Sequence, residues 1–343
     1  GEERAFRIYA GQMNPNNETS LSVIYSTIVH TLVLEKPFLE ATLVFDGTTG
    51  ETFIVEPGEI VNATVEWSNN LPIKMNNVEL RVTFDGSAFN SITVKPQNSG
   101  FFDSATNTII WSGDKYKDFS SVEPGESGEV RFSFTPRTQI ATGLIENPSV
   151  HAAVSIKGNQ STSGNTPEVV STIEEKTFAI ATDLRLSGQS LYTSGPLTNT
   201  GVLPPRVGMP TTYTVLWSIT NTTSQATDTV VKATLPIYMN WSGKISPATE
   251  NVVYNANTRE IVWQPGNIGA KTGFGTGPRE VAFMVSLTPS ASQVGTSPTI
   301  VGSAALFSKD NFTSVLLQSS WPALTTRLTT DAGTSTSQWI VTN

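Results

Sequence analysis

The stretch Gly58–Trp67, GEIVNATVEW, returns as GMPTTYTVLW at Gly208–Trp217. In the first copy Val61, Ala63, Val65 and Trp67 are apolar, while Asn62, Thr64 and Glu66 between them are polar. Alternation of period two puts one face of a strand in a core and the other in water, as in antiparallel sandwiches. Other markers repeat in the same order. Asn107–Trp111 (NTIIW) matches Arg259–Trp263 (REIVW), and Glu129–Pro136 (EVRFSFTP) matches Glu280–Pro289 (EVAFMVSLTP). Three joint segments frame them: Pro37–Leu43 (PFLEATL), Phe178–Leu184 (FAIATDL) and Pro322–Leu328 (PALTTRL), whose final leucines lie 141 and then 144 residues apart. Ordered markers at nearly constant spacing are the product of a tandem array of one supersecondary unit.

Alternation continues through Val78–Asp85, Glu129–Phe134, Val150–Lys157, Tyr213–Trp217, Val231–Leu235 and Val281–Leu287. Between these runs sit Asp46-Gly47, Pro57-Gly58, Asp85-Gly86, Pro124-Gly125 and Gly158-Asn159, which supply the positive or fixed φ of tight turns. No helical periodicity exceeds two turns. The reading is an all-β chain of antiparallel β-sandwiches in tandem. The joints divide it into residues 1–41, resembling the last strands of a preceding unit; 42–181, a complete unit; 182–326, a second complete unit; and 327–343, resembling the first strand of a following unit. Trp67, Trp111, Trp217 and Trp263 are expected in the cores, and the Gly195–Pro205 insertion as an ordered loop or extended arm. Incomplete units at either end leave strand edges that proteins normally protect, so the terminal pieces are expected either to pack on the nearest sandwich or to add to another copy.

An apolar share of 38% is enough for a real core in each unit, while charged residues make up only 15% and the net charge is −8. That balance repels phosphate backbones and offers no basic stripe, which excludes nucleic acid as an expected partner. No apolar run reaches the roughly 18 residues that span a bilayer, and Gly1-Glu2-Glu3-Arg4 opens no signal peptide. Membrane insertion is therefore not expected, and the chain reads as a portion of something longer. With no cysteine, a small disulfide-stapled secreted domain is excluded. That leaves a cytosolic protein, or a bacterial or archaeal surface protein whose cores are large enough to do without cross-links, and the composition favours the second.

Catalytic motifs are missing. His30 and His151 have no Cys or His neighbour at ligand spacing, and there is no nucleophile elbow, P-loop or dinucleotide fingerprint. No enzyme activity, catalytic residue or resident cofactor is expected. Calcium at the joints is the one metal considered, from Asp46 and Asp183 near them and Asp103, Asp114 and Asp118 in a loop region; it needs six to eight oxygens, and no linear calcium-loop motif occurs. A Lys–Asn isopeptide bond is compatible with the composition but cannot be paired from sequence. Glycosylation sequons start at Asn62, Asn159 and Asn221, and also at Asn17, Asn240 and Asn311. Trp241, which has no counterpart in the first unit, and Tyr238 are the candidate contacts for a glycan or protein ligand.

The order of Glu56-Pro57-Gly58-Glu59, Trp67, Asn107-Thr108-Ile109-Ile110-Trp111 and Glu123-Pro124-Gly125-Glu126 resembles the DUF11-like and related immunoglobulin-like repeats of prokaryotic surface proteins. The second unit keeps Trp217, Trp263 and Thr288-Pro289 but lacks both Pro-Gly-Glu turns. Arg279–Phe283 through Ser292–Gly295, with Leu324–Leu328, is similar to long surface proteins of ultrasmall candidate-phylum bacteria. The resemblance spans most of residues 42–328. It implies immunoglobulin-like sandwiches in an extracellular, cell-surface stalk or adhesin, whose partners are neighbouring repeats or copies of itself, and in some cases a surface glycan or protein. A self-assembling filament subunit joined by strand complementation and a glycan- or protein-binding module are the alternatives.

Overall fold

The computed structural model describes residues 2–15, 17–34, 39–160 and 168–343, with side chains at 7–15, 21–31, 39–160 and 172–343. The chain is all-β and forms immunoglobulin-like antiparallel sandwiches. Two strands precede them, β1 (Glu2–Asn14) and β2 (Asn17–Leu34), paired as an antiparallel hairpin.

The first sandwich uses β3 (Leu39–Phe45), β4 (Thr52–Val55), β5 (Val61–Asn69), β6 (Met75–Asp85), β7 (Lys95–Pro96), β8 (Phe101–Asp103), β9 (Thr108–Ser112), β10 (Ser121–Val122), β11 (Ser127–Phe134), the two-residue ladder β12 (Gln139–Ile140) and β13 (Gly143–Leu144), β14 (Ser149–Gln160) and β15 (Glu168–Ile180). One sheet runs β3-β5-β11-β7; the facing sheet runs β4-β15-β14-β6-β9-β8 with β10 on β6, and β4 lies parallel to β15. β3 begins at Leu39, so residues 39–41 belong to this sandwich.

The second sandwich uses β16 (Leu184–Leu191), β17 (Thr211–Asn221), β18 (Ala226–Thr234), β19 (Met239–Ser246), β20 (Val252–Asn255), β21 (Glu260–Ile268), β22 (Arg279–Leu287), β23 (Thr299–Val301), β24 (Ala304–Asp310), β25 (Leu316–Trp321) and β26 (Leu324–Thr325). Its sheets run β16-β17-β22-β19 and β20-β21-β18-β24-β25. Position by position this is the strand order of the first sandwich without β4 and β10. The matching extends to single turns. Asn107 and Arg259 both adopt positive φ (52° and 56°), and the carbonyl of each accepts one backbone N–H, from Phe84 (3.0 Å) and Leu235 (2.8 Å) respectively.

Period two does what the sequence asks of it. Along β5 the inward Val61, Ala63, Val65, Trp67 and Asn69 are buried, and Asn62 and Glu66 face water. The first core is centred on phenylalanines: Phe84 meets Phe132 and Phe134, and Phe178 meets Phe45, Phe53 and Phe134, with centroids 5.2–5.6 Å apart. The second is built on Trp217, which lies edge-on to Phe283 at 4.9 Å and tilted against Trp263 at 6.5 Å. All four repeat tryptophans are buried. Trp111 donates its indole N–H to the Gln97 carbonyl at 2.8 Å, whereas Trp263 donates to Glu250 Oε2 at 2.8 Å; that carboxylate is held by Arg279 at 2.7 Å.

β3 runs beside β15, and β16 beside β25, without a backbone ladder, and side chains close each seam. Leu43 N–H donates to Glu174 (3.0 Å) and the Thr172 hydroxyl to the Leu39 carbonyl (2.7 Å); in the second sandwich Leu186 N–H donates to the Ser319 hydroxyl (3.0 Å). Lys176, buried on the inner side of β15, is paired with Glu174 at 2.7 Å and donates to the Thr49 carbonyl at 3.0 Å.

Residues 327–343 are not the first strand of a following unit. They form turns and a short 3-10 stretch at Thr336–Gln338, and fold back on the second sandwich, burying Leu328 and Val341 and packing Trp339 on its core. The joint motif is already two residues out of register here: Thr326 N–H donates to the Pro298 carbonyl as Ile180 N–H donates to Pro148, whereas the motif aligns Leu324 with Ile180. Beyond Leu328 the buried carboxylate of Asp331 diverts the chain. It accepts the N–H groups of Tyr192 and Thr193 (both 2.7 Å) and Ser194 (2.9 Å), and the hydroxyls of Thr193 and Ser194. The Gly195–Pro205 insertion is an ordered loop beside it, where Asn199 donates to the Leu191 and Tyr192 carbonyls and to Thr214.

Two outcomes follow from this packing. Trp217→Ala lowers the stability of the second sandwich by about 3–5 kcal/mol, seen as a lower urea midpoint by circular dichroism. Burial pushes the Asp331 carboxyl upward, but the donors from Ser194, Thr193 and Tyr192 outweigh it and hold the pKa at about 2, below the ordinary 3.8. A depressed carboxylate pKa stabilises the folded state above the unfolded value. The clamp is therefore complete above about pH 4 and is lost as pH falls through about 2, which NMR shifts of the Tyr192–Ser194 amides report.

Candidate functional site

The joint between the sandwiches is held on both sides. β15 ends at Ile180 and β16 starts at Leu184, so Ala181, Thr182 and Asp183 form the connection between the sandwiches. Ala181 and Thr182 are buried. Ala181 N–H donates to the Val55 carbonyl of the first sandwich at 2.9 Å. Thr182 belongs to the second: its N–H donates to Asp310 Oδ2 (2.8 Å) and its hydroxyl to Asn221 Oδ1 (2.7 Å), while Thr223 N–H donates back to that hydroxyl (2.9 Å). Asp183 N–H donates to the Thr222 hydroxyl at 2.8 Å. A second crossing comes from Asn147 N–H, which donates to the Thr223 carbonyl at 2.9 Å.

Asp310 organises this knot. It is fully buried at the end of β24. Besides Thr182 it accepts the Ser224 hydroxyl (2.8 Å) and the Phe312 N–H (2.8 Å), the latter an Asx turn that starts the β24–β25 connection. A carboxylate taken from water is tolerable only when its lone pairs are satisfied, and here neutral donors from three separate segments do so. Asn221 completes the site. Its side-chain amide donates to the Ser224 (2.6 Å), Ile268 (3.1 Å) and Gly269 (3.0 Å) carbonyls. Asn69 has the same role in the first sandwich, donating to Ile73, Val122 and Glu123.

That placement corrects one expectation. Asn221 cannot carry a glycan on the folded chain, because it is buried and its Nδ2 is committed to three carbonyls. Asn62 is exposed, with Nδ2 near the Ile60 carbonyl at 3.2 Å, and Asn159 is half-buried in β14. Asn17 lies outside the described side chains.

The two aromatic candidates sit at the rim of the second core. Trp241, on β19, is half-buried; it stacks on Tyr254 of β20 at 5.6 Å and contacts Phe283 at 5.3 Å. It thereby bridges edge strands of opposite sheets. Tyr238 is half-buried and donates its hydroxyl to the Thr299 carbonyl at 3.0 Å. The acidic residues considered for calcium are dispersed. The Asp183 carboxylate is paired with Arg185 at 2.6 Å, and Asp103 caps its own turn through Ala105 N–H and the Thr106 hydroxyl. Among the described residues, no group of three or more His, Asp or Glu gathers to hold a metal ion, and no helix is long and apolar enough to cross a membrane.

Sequence reasoning missed Asp310, Asp331 and Lys176. The only local signal is Asp310-Asn311-Phe312-Thr313, an Asx-turn pattern; the contacts that matter are more than 80 residues away in sequence.

No family model matches the chain, and no curated protein matches it in sequence. Solved structures similar to it include the C-terminal domain of the Streptococcus agalactiae AgI/II polypeptide BspA, at 11% identity, 82% of this chain, 98% of that chain and a TM-score of 0.30. The C-terminal domain of the Streptococcus pyogenes antigen I/II-family protein AspA gives 10%, 84%, 99% and 0.30. The full-length major pilin SpaD from Corynebacterium diphtheriae gives 11%, 73%, 59% and 0.27. Superpositions this poor carry neither a family nor a function.

Replacing the central carboxylate tests the geometry of the joint. Asp310→Ala leaves the Thr182 and Phe312 amides without their acceptor and costs about 1.5–3 kcal/mol. Hydrogen exchange at those two amides then accelerates, while the Phe132 and Val154 amides of the first sandwich keep their protection.

Proposed function

We infer that this chain is a structural spacer, or adhesion stalk segment, of an extracellular cell-surface protein. Its work is mechanical: two immunoglobulin-like sandwiches in series hold whatever lies beyond them at a set distance. The observation that carries this reading is the joint. A flexible linker would leave its backbone to water, whereas Ala181 and Thr182 are buried and hydrogen-bonded to both sandwiches. Bending there would break the Ala181–Val55 and Asn147–Thr223 hydrogen bonds or pull Thr182 away from Asp310 and Asn221. The cysteine-free, weakly charged, hydroxyl-rich composition suits an exposed surface protein. Its natural neighbours are further units of the same kind or copies of itself.

Small-angle X-ray scattering on the dilute chain is the test. Wild type is expected to fit one rigid arrangement of the two sandwiches, and Asp310→Ala to need an ensemble of wider angular spread. A wild-type curve that already requires a broad ensemble would sink the spacer reading, since a stalk hinged at its middle fixes no distance.

A further inference from the structure

The two sandwiches grip their last residues in the same way, at different points of the repeat. In the first, consecutive N–H groups are held from two sides. Ile180 donates to the Pro148 carbonyl beside β14, and Ala181 to the Val55 carbonyl of β4, both at 2.9 Å. In the second, Val341 donates to the Thr296 carbonyl (3.0 Å) and Thr342 to the Pro205 carbonyl (2.9 Å). Arg206 and Thr342 form a parallel bridge, as β4 is parallel to β15. Pro205 stands where Val55 does, three residues before a left-handed glycine, Gly208 or Gly58 (φ 74° and 82°). The same turn follows each, closed by Met209 N–H on the Arg206 carbonyl and by Glu59 N–H on the Glu56 carbonyl. Yet Thr326 has already made the bond of Ile180, to Pro298. The second sandwich therefore ends twice, and residues 327–340 are stored between its two ends.

What holds the stored segment is local. Leu328 and Val341 are buried and Trp339 packs on the core. Asp331 accepts the Tyr192, Thr193 and Ser194 N–H groups, and the Thr326 hydroxyl donates to the Trp339 carbonyl at 2.7 Å. No ladder runs along it; the chain makes turns and one 3-10 stretch. By contrast the β14/β15 ladder runs from Ser149 to Gln160, and the β24/β25 ladder from Ala304 to Lys309. A pull along a strand loads every rung of its ladder together, whereas the stored segment yields its few bonds one group after another. Proteins open in cooperative units of unequal stability, and forced opening follows the unfolding rate of each unit.

We propose that residues 327–342 form a strap that tension releases before either sandwich unfolds. Load reaching the distal end through Thr342 first strips Val341 and Thr342 from Thr296 and Pro205. It then draws Asp331 away from the Tyr192–Ser194 N–H groups, and comes to rest on Thr326 and the β24/β25 ladder. At about 3.3–3.6 Å per extended residue the chain lengthens by about 50 Å, while Trp217, Trp263 and Phe283 stay in their core. On relaxation the strap reseats, because its site is built by the folded sandwich. The inference rests on the spacer reading for the load alone; the placement of the strap is the same whether the joint is stiff or loose.

Force spectroscopy on the whole chain tests it. With no native cysteine, paired cysteines serve as handles. One pair is Ile92→Cys, exposed on the first sandwich, with Asn343→Cys, exposed beyond the strap. In the control pair the second handle is Ala323→Cys, exposed ahead of β26, which leaves the strap out of the load path. The first pair is expected to show a step of about 50 Å at a force below that of the sandwich steps, and the control pair is not. Asp331→Ala lowers the force of that step and keeps its length. Val207→Pro does the same: Pro57 holds that place in the first unit, the turn accepts it, and the Val207 N–H donated to the Thr342 carbonyl (3.0 Å) is lost. The absence of an early step with the first pair, the same early step with the control pair, or a strap that comes off only after a sandwich has unfolded each overturns the proposal. A joint that scattering finds loose would sink the spacer reading and leave this step unchanged.

Discussion

The buried carboxylate of Asp310 sets the relation between the two cores. A carboxylate without water must have its lone pairs filled by protein donors, and Asp310 takes them from the joint at Thr182, from the turn after β17 at Ser224, and from its own hairpin turn at Phe312. None of these segments can settle alone. The turn after β17 is further pinned by Asn221, whose amide spans three carbonyls. Building the proximal end of the second sandwich and anchoring the joint at Thr182 are thus one event, and Ala181 and Asn147 carry the connection to the first sandwich. Neutral donors suit this role because they bring no second charge to desolvate.

The same solution recurs wherever the fold would leave a backbone edge open. At the seam of the first sandwich, Glu174 and Thr172 reach across to β3; at that of the second, Ser319 reaches to β16. At the distal end Asp331 gathers three consecutive N–H groups. Short polar side chains that reach backbone groups close these edges without a covalent cross-link, since the chain has no cysteine. A hydroxyl-rich, charge-poor composition is therefore a structural requirement of this fold, over and above a solubility property. Lys176 follows the rule from the other side, its ammonium spent on Glu174 and the Thr49 carbonyl at the margin of the first core.

Strand identity and facing were legible because both are local. The alternation in Val61–Trp67 and Val150–Lys157 fixes which side is buried, and the buried pattern follows it residue by residue. The left-handed turns at Asn107 and Arg259 were visible as matched positions. What could not be read was long-range polar pairing. Nothing near Asn221 distinguishes a buried amide from a sequon, except that it follows a core tryptophan by a few residues, as Asn69 does. Nothing near Leu328 announces that Asp331 will find Tyr192–Ser194 and turn the tail back. The joint motif misled there because it aligns Leu324 with Ile180, whereas in the folded chain Thr325 pairs with Thr299 as Ala179 pairs with Ser149, two residues out of that register.

Free strand edges invite pairing with other chains, and this protein shortens or bridges those of its two sandwiches. β4, β7, β8 and β20 have four residues or fewer, and β16 and β19 have eight each. β15 is longer, and β4 covers only its last four residues, Thr177–Ile180. The stretch before them is the one that Thr172 and Glu174 tie to β3. The polar side chains at the seam therefore act where the ladder ends, and a strand too long to be covered by its neighbour is closed by its own side chains.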